Sequence, residues 1–184
     1  MKLPVALIAA AFATGAALTA LLLAFQPLVL STPAACLNGT AQSLVSPGTA
    51  DELVAALAFA RNSIDVQMYV FTSSELKDAL VQAARRGVCV RLILEPRIDS
   101  NAATAAFLVA NGVQVRWASR EFANTHSKLA LIDGKTVLVG SINWSWHALY
   151  ANREAALLVE NPRLAQEFGS VFEEDWAIAQ IASA

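Results

Sequence analysis

The sequence predicts an α/β domain: a mixed β-sheet layered with helices and preceded by an apolar N-terminal segment. Strand-like and helix-like segments alternate from residue 42 to residue 117, and a hairpin signal with a further strand follows from residue 129. Residues 3–50 contain no charged side chain. A chain of 184 residues with 56% hydrophobic content is too apolar to be disordered. Its length suits one globular domain behind the apolar segment.

The first half alternates strands with helices. Thr49 with Glu52, and Thr72 with Glu75, have the spacing of capping boxes that open two helices. Gly87 suits the end of the second helix, since glycine readily adopts the left-handed backbone found there. We expect strands at 42–45, 64–71, 88–94 and 113–117, separated by helices that end near residue 62, at residue 87 and at residues 111–112. Asp99 or Ser100 caps the third of these helices. This order is typical of an α/β fold.

The second half changes character. Asp133-Gly134 is a hairpin turn signal that joins strands 129–132 and 136–139, which makes the sheet mixed. A strand at 153–159 follows, and Pro162 opens a final helix. The predicted apolar side of that helix comprises Leu164, Phe168, Val171, Phe172 and Trp176.

Residues 1–35 are predicted to be a signal peptide or membrane anchor with a linker, and residues 36–184 the folded domain. After a start that carries one lysine, residues 3–30 are almost purely apolar. This stretch exceeds the roughly 7–15 residues of a signal-peptide core and reaches the roughly 18 that can span a bilayer, so both alternatives stand. Either one places the domain outside the cytoplasm, as a periplasmic or extracellular protein or one held at the membrane through residues 3–30.

The two cysteines, Cys36 and Cys89, are compatible with one disulfide in an oxidising compartment. A buried free thiol is the favoured interpretation of Cys89, because it lies in an apolar strand-like run. Neither cysteine has a histidine nearby in the sequence, which argues against a thiol nucleophile and a zinc site. Lipidation of Cys36 is disfavoured, since Pro33-Ala34-Ala35 lacks the expected aliphatic residue.

His126 and Lys128 are the first candidate site residues. If the segment is a strand, residues two apart project from the same face, so an imidazole lies beside an ammonium. This pair suits an anionic substrate, because the lysine binds a phosphate oxygen and favours a neutral, nucleophilic imidazole. Gly140 permits close backbone approach on the next strand, and Ser141 and Asn143 offer hydrogen-bond donors beside the first.

These residues resemble the signature of the phospholipase D superfamily, H-x-K-x4-D followed by G-S-x-N. The matching positions are His126, Lys128, Asp133, Gly140, Ser141 and Asn143, and Asn152-x-Glu154 also fits. The likeness extends from about residue 42 to residue 176, and it is strongest to the small bacterial endonucleases that carry one motif per chain. It implies a mixed sheet with helices on both faces.

The resemblance also implies a two-step phosphodiesterase. His126 is then the nucleophile that forms a phosphohistidine, and Glu154 orients and charges it as the acid of a triad does. Asp133 and Gly140 are structural positions of the motif. The phosphate-binding side chains implied are Lys128, Ser141 and Asn143.

A second histidine must protonate the leaving oxygen in that scheme, and the chain has one H-x-K only. A symmetric homodimer that pairs two His126 side chains supplies it. The alternative, His147 as the acid within one chain, is less favoured because no family element falls there. We expect no cofactor and no metal, since no metal-ligand motif is present and a lysine occupies the place of a cation.

Charge is the only clue to the substrate outside the resemblance. Residues 85–135 contain eight basic and four acidic side chains, whereas residues 153–184 contain two basic and six acidic ones. A basic half around His126 suits nucleic acid, although a mixed solvated surface explains the pattern equally well. The resemblance, with slight support from charge, implies a non-specific endonuclease acting on DNA or RNA. The alternative is a phospholipase D that acts on membrane phospholipids, and a non-catalytic binding module is disfavoured.

Overall fold

The computed structural model of the chain describes residues 39–182, in which eight strands form one sheet. The strands are β1 (Thr40–Val45), β2 (Ser63–Met68), β3 (Cys89–Leu94), β4 (Gln114–Trp117), β5 (Lys128–Ile132), β6 (Thr136–Gly140), β7 (Ala155–Glu160) and β8 (Gln180–Ile181). The helices are α1 (Ala50–Ala58), α2 (Ser74–Arg85), α3 (Ser100–Ala110), α4 (Trp146–Tyr150) and α5 (Pro162–Ile178).

The sheet is mixed, as predicted. Its order is β1-β7-β6-β5-β2-β3-β4-β8. Strands β2, β3 and β4 are parallel and are connected through α2 and α3, while the pairs on either side of them are antiparallel. The parallel part therefore consists of β-α-β units and the remainder of hairpin-like pairs, which confirms the predicted α/β class.

Helices cover both faces of the sheet. One apolar cluster joins α1, α2 and α3 to the strands, and a second cluster joins α5 to the opposite face. The central strand β5 contributes Ala130 and Ile132 to the first cluster and Leu129 and Leu131 to the second, so it is buried on both sides. Phe172 anchors α5, and burial of a side chain of this size contributes roughly 2–3 kcal/mol.

A polar contact fixes α5 as well. Arg91 on β3 forms ion pairs with Asp65 at 2.7 Å and with Glu173 of α5 at 2.6 Å. Its guanidinium also lies 5.0 Å from the ring centre of Phe172 and 5.3 Å from that of Trp176. Both acids and both rings hold one arginine, which sets the position of α5 on the sheet.

The two predicted capping boxes are not formed as expected. Thr49 precedes α1, but its side chain accepts no hydrogen bond from the helix, and its buried hydroxyl has no hydrogen-bond partner among residues 39–182. Helix α1 ends at Ala58, earlier than predicted. At α2 the cap is Ser73, whose oxygen accepts a hydrogen bond from the amide of Leu76, so the predicted cap at Thr72 is displaced by one residue.

Two short elements have no counterpart in the prediction. Helix α4 has five residues and β8 has two, which is too short to give a periodic signal. Of the predicted apolar side of α5, Val171 is half exposed. Cys89 lies on the surface, so the expectation that it is buried is wrong.

The Asp133-Gly134 hairpin has the predicted geometry. Both residues have positive φ, 54° and 62°, the signature of a type I′ turn. Residues 1–38 lie outside the described part of the chain, so the signal peptide or anchor and the lipidation or pairing of Cys36 stay predictions. Within residues 39–182 no helix is long and apolar enough to cross a membrane.

Candidate active site

The sheet has two ends with different polar groups. We call the end formed by Val45, Met68, Lys128, Gly140 and Ala155 the His126 edge, because His126 immediately precedes β5 there. The opposite end, formed by Thr40, Ser63, Ile132, Thr136 and Glu160, is the hairpin edge. Strand pairing sets both ends, since Met68 pairs with Lys128 and Thr40 pairs with Glu160. The two strand-end motifs of the sequence thus meet at the His126 edge.

His126 and Lys128 are in direct contact. The Lys128 ammonium lies 3.0 Å from Nδ1 and 3.2 Å from Nε2 of the imidazole, and it donates a 2.8 Å hydrogen bond to the carbonyl of His126. His126 is exposed, whereas Lys128 is only 9% exposed. Burial lowers the pKa of Lys128, and the charge of Glu154 partly opposes that shift. Among residues 39–182 no carboxylate forms an ion pair with this ammonium, which leaves it available to an anion.

Gly140 and Ser141 connect β6 to β7 at this edge. A Cβ at Gly140 would collide with the backbone of Ala155 and Ala156, so only glycine fits. Ser141 bonds to Ala155 through its own amide at 2.8 Å, and its hydroxyl accepts from the amide of Ala155 at 3.1 Å. The same hydroxyl donates to Glu154 at 2.5 Å, which fixes its direction.

Glu154 is held by two donors at this edge. Ser141 is one, and the side-chain amide of Asn152 donates to the other oxygen at 3.1 Å. These hydrogen bonds, with the charge of Lys128, hold the pKa of Glu154 below its usual value although burial opposes them. No hydrogen bond joins Glu154 to His126 within the described residues, so the contact implied by the resemblance is not made.

Asn143 lies beside the loop that follows β2. Its side-chain oxygen accepts a 3.3 Å hydrogen bond from the amide of Val70, which fixes the orientation of the amide group. Its NH₂ group forms no hydrogen bond with any residue between 39 and 182, and so remains a free donor. Trp144, the next residue, is buried and bridges to Phe71, which secures this loop to the site.

Two further residues at this edge were not identified from the sequence. Tyr69 follows β2, and its ring centre lies 4.2 Å from that of His126. Glu95 follows β3, is fully buried, and accepts a 2.7 Å hydrogen bond from the amide of Thr125, the residue before His126. Arg97 satisfies the other oxygen of Glu95. Polar residues at the carboxyl ends of parallel strands were the available signal.

Comparison with known proteins assigns the fold to a family. A family model described as cardiolipin synthase, PLD-like domain, matches residues 53–176. The chain belongs to the phospholipase D superfamily. It is 32% identical over 132 residues to the mouse mitochondrial cardiolipin hydrolase, covering 71% of this chain and 59% of that protein. It thus spans about half to three-fifths of the length of such curated relatives.

Solved structures of the superfamily agree. The phospholipase D family member Nuc from Salmonella typhimurium superposes with a TM-score of 0.75 at 28% identity, over 79% of this chain and 99% of that one. NucT from Helicobacter pylori gives a TM-score of 0.70 at 21% identity, over 78% and 99% of the two chains. The sequence-based assignment to the superfamily is therefore confirmed.

His147 is the other histidine of this phospholipase D domain. It is exposed on α4, with its ring 5.2 Å from that of Trp146. Its backbone carbonyl accepts from the amides of Ala151 and Asn152. No hydrogen bond or ring contact within residues 39–182 connects it to His126.

The basic stretch of the sequence does not form one basic cleft. Lys135 lies at the hairpin edge, as do Arg85 and Arg86 at the end of α2, while Arg91 and Arg116 pack against α5. Three of the eight basic side chains remain at the His126 edge: Arg97, Arg120 and Lys128. Within residues 39–182 no cluster of histidine, cysteine or acidic side chains is arranged to hold a metal ion.

Proposed function

We propose that this phospholipase D domain is a metal-independent phosphodiesterase that acts through a phosphohistidine. The observation that carries the proposal is the Lys128 ammonium, which is nearly buried against His126 and has no carboxylate partner among the described residues. A buried cation without an anion is costly, and a phosphodiester supplies the missing charge beside the nucleophile.

The reaction has two balanced steps. A ring nitrogen of His126 attacks phosphorus, so an N–P bond forms and the P–O bond to the leaving group breaks. The leaving oxygen takes a proton from a second imidazole. Water, deprotonated by that same imidazole, then attacks phosphorus, breaks the N–P bond and restores His126. Lys128, Ser141 and Asn143 hold the phosphate oxygens, and the free NH₂ group of Asn143 supports its part in this role.

The second imidazole comes from a partner chain. Among the described residues His126 has no other histidine in contact, and the His147 ring has an edge-to-face contact with Trp146. A symmetric homodimer that brings two exposed His126 side chains together supplies an acid at each site. Glu154 then stabilises the positive charge at this edge through Lys128, in addition to fixing Ser141.

The substrate that we propose is nucleic acid, cleaved without base specificity. His126 is exposed at the His126 edge, where a continuous polymer backbone can reach it. The superposition on Nuc, which covers almost all of that chain, supports a domain of the same extent. Hydrolysis of a phospholipid is the second candidate, because the curated relatives include cardiolipin hydrolases and the family model is named for cardiolipin synthase. Export, and attachment to a membrane through residues 3–30, fit either substrate.

The deciding experiment offers both substrates to the full-length protein in EDTA. Single-stranded DNA, duplex DNA, RNA and cardiolipin vesicles are incubated with native protein, His126→Ala and His147→Ala. We expect nucleic acid cleavage that survives chelation, disappears in His126→Ala and persists in His147→Ala. Cleavage of cardiolipin alone favours the second candidate. Activity that needs a divalent metal, or that survives the loss of His126, contradicts the mechanism.

A covalent intermediate and a dimer are tested separately. Acid quenching destroys an N–P bond and alkali preserves it, so an alkali-stable adduct on His126 is expected in the native protein and absent from His126→Ala. Light scattering should give a dimer mass. Mixing native protein with an excess of His126→Ala should lower activity below that of the same amount of native protein alone, because each mixed dimer holds a single His126.

A further inference from the structure

We propose that Tyr69 is a positioning residue of the phosphodiesterase site. Its ring packs against the His126 imidazole, which it orients, and makes a cation–π contact with the Lys128 ammonium. The inference rests on the proposed function for its catalytic consequence. The contact itself is independent of the substrate. Tyr69 belongs to no part of the H-x-K or G-S-x-N motifs, and its ring contacts both of the paired residues.

The backbone of Tyr69 is fixed on two sides. Its amide donates a 2.9 Å hydrogen bond to the carbonyl of Ser127, which lies between the two paired residues. Its carbonyl accepts a 2.8 Å hydrogen bond from the side chain of Asn101, which is fully buried. The ring of Tyr69 is thus attached to the same segment of chain that it contacts.

The Tyr69 ring, and not the Glu154 carboxylate, contacts the His126 imidazole. His126 is exposed, and Glu154 bonds to Ser141 and Asn152 instead of to His126. The contacts that hold the imidazole are therefore Lys128 and the Tyr69 ring, whose plane is tilted by 56° at a centre distance of 4.2 Å. An exposed imidazole without such a support samples several rotamers, and few of them aim a ring nitrogen at phosphorus.

The ring also accounts for the buried ammonium. The nitrogen of Lys128 lies 4.9 Å from the centre of the Tyr69 ring, within the range of a cation–π contact. This contact favours the charged form of Lys128 in a position where burial disfavours it. The titratable groups that face Lys128 are His126, Glu154 and Tyr69 itself, and the Tyr69 variants keep the first two residues.

The face of the ring carries this role, because the hydroxyl of Tyr69 has no hydrogen-bond partner among residues 39–182. The test compares Tyr69→Leu with the conservative variant Tyr69→Phe in hydrolysis of bis-p-nitrophenyl phosphate. We expect Tyr69→Leu to lower kcat about 10- to 100-fold with a smaller change in KM, since the nucleophile is misdirected. Tyr69→Phe should recover kcat to within about threefold of the native value. Tyr150→Leu, at the only other tyrosine, is the matched control and should leave kcat unchanged.

A pH profile separates positioning from a general loss of structure. Without the ring, the charged form of Lys128 loses a favourable contact, so the alkaline limb of kcat should move down by about half a pH unit in Tyr69→Leu and not in Tyr69→Phe. If Tyr69→Leu does not fold, Tyr69→Met takes its place. A folded Leu or Met variant with native kcat and pH profile overturns the proposal, and so does a Phe variant as impaired as the Leu variant.

An NMR measurement keeps this test apart from the proposed function. The chain has two histidines, so the Cε1–H signal of His126 is assigned by its loss in His126→Ala. The Tyr69 ring current should shift that signal in native protein and Tyr69→Phe, and the shift should collapse in Tyr69→Leu. Native protein without diesterase activity refutes the proposed function while this signal still reports the contact. An unchanged signal in Tyr69→Leu refutes the contact alone.

Discussion

The two ends of the sheet both carry charged side chains, but they differ in whether the chain itself satisfies them. At the hairpin edge, the Asp133 carboxylate accepts hydrogen bonds from the amides of Arg61, Asn62 and Ser63 at 2.7–3.1 Å. At the His126 edge, no carboxylate of residues 39–182 forms an ion pair with the Lys128 ammonium, which contacts the His126 and Tyr69 rings and one carbonyl. A charged group whose partners are all supplied by the protein stabilises the fold, whereas a charged group without an ionic partner can bind a ligand.

The pKa values of the acids make the same distinction. Burial raises the pKa of Asp133, but the amides of Asn62, Ser63 and Arg61 outweigh burial, and the pKa ends below its usual value. Two side chains, Ser141 and Asn152, do the same for Glu154. Backbone amides therefore hold Asp133 as part of the fold, while side chains of the candidate site hold Glu154.

Replacement of Lys128 should give the largest difference in activity between substitutions at the His126 edge and at the hairpin edge. Lys128→Met keeps the shape and removes the charge, so diesterase activity should fall about 10³-fold. The thermal midpoint should stay the same or rise, because a buried charge without an anionic partner is lost. Lys135→Met, an exposed lysine of the hairpin edge, is the control with native activity. A Lys128→Met protein that is both inactive and unstable would contradict this assignment.

Glu154→Gln should have the next largest effect, a fall of roughly 10- to 100-fold in activity. The charge of Glu154 raises the pKa of Lys128, so its removal lowers that pKa further. Activity that needs the ammonium should therefore be lost at a lower pH than in native protein. A pH profile of kcat for both proteins checks the sign, and an alkaline limb that moves upward would refute it.

Asp133→Ala should act on stability instead of activity. It leaves three backbone amides without their acceptor, and we expect a loss of about 2 kcal/mol in the free energy of unfolding, with native kcat in the folded fraction. Asp133→Asn keeps one oxygen and tolerates the positive φ of this position, so it should lose less. Denaturant titration measures the free energy of unfolding of both variants. A stable but inactive Asp133→Ala would contradict the structural role of Asp133.

The smallest effect concerns acid stability. Because the pKa of Asp133 is lower in the folded than in the unfolded chain, its contribution is present above its unfolded pKa of about 4 and is lost as the pH falls through the folded pKa. The stability difference between native protein and Asp133→Asn should therefore shrink below about pH 4. A difference that stays constant down to about pH 2 would show that charge has no part in it.

Much of the fold follows from local pattern. The alternation of strands and helices, the Asp133-Gly134 turn and the start of α5 at Pro162 are all set by nearby residues. The predicted caps were wrong for different reasons: the Thr49 hydroxyl makes no hydrogen bond with α1, and the residue after Thr72 supplies the cap of α2. At α2 the hydroxyl of Ser73 reaches the amide of Leu76 first.

The candidate site was predictable where its residues are close in the sequence: His126 lies two residues before Lys128 at the start of β5, and Ser141 and Asn143 follow the end of β6. The rest depends on which strands are neighbours. Tyr69 meets His126 because β2 pairs with β5, and Glu95 reaches Thr125 from the end of β3. The bond partners of Glu154 likewise depend on side-chain geometry, which periodicity does not encode.

Strand β1 has a practical consequence for anyone who handles this protein. It begins at Thr40, opposite Glu160, and ends at Val45, opposite Ala155, so it runs from the hairpin edge toward the His126 edge. A group fused ahead of Gly39 is therefore joined to the domain at the hairpin edge, the end of the sheet opposite His126. An affinity tag or label placed at Gly39 modifies the end of the sheet that lacks the nucleophile.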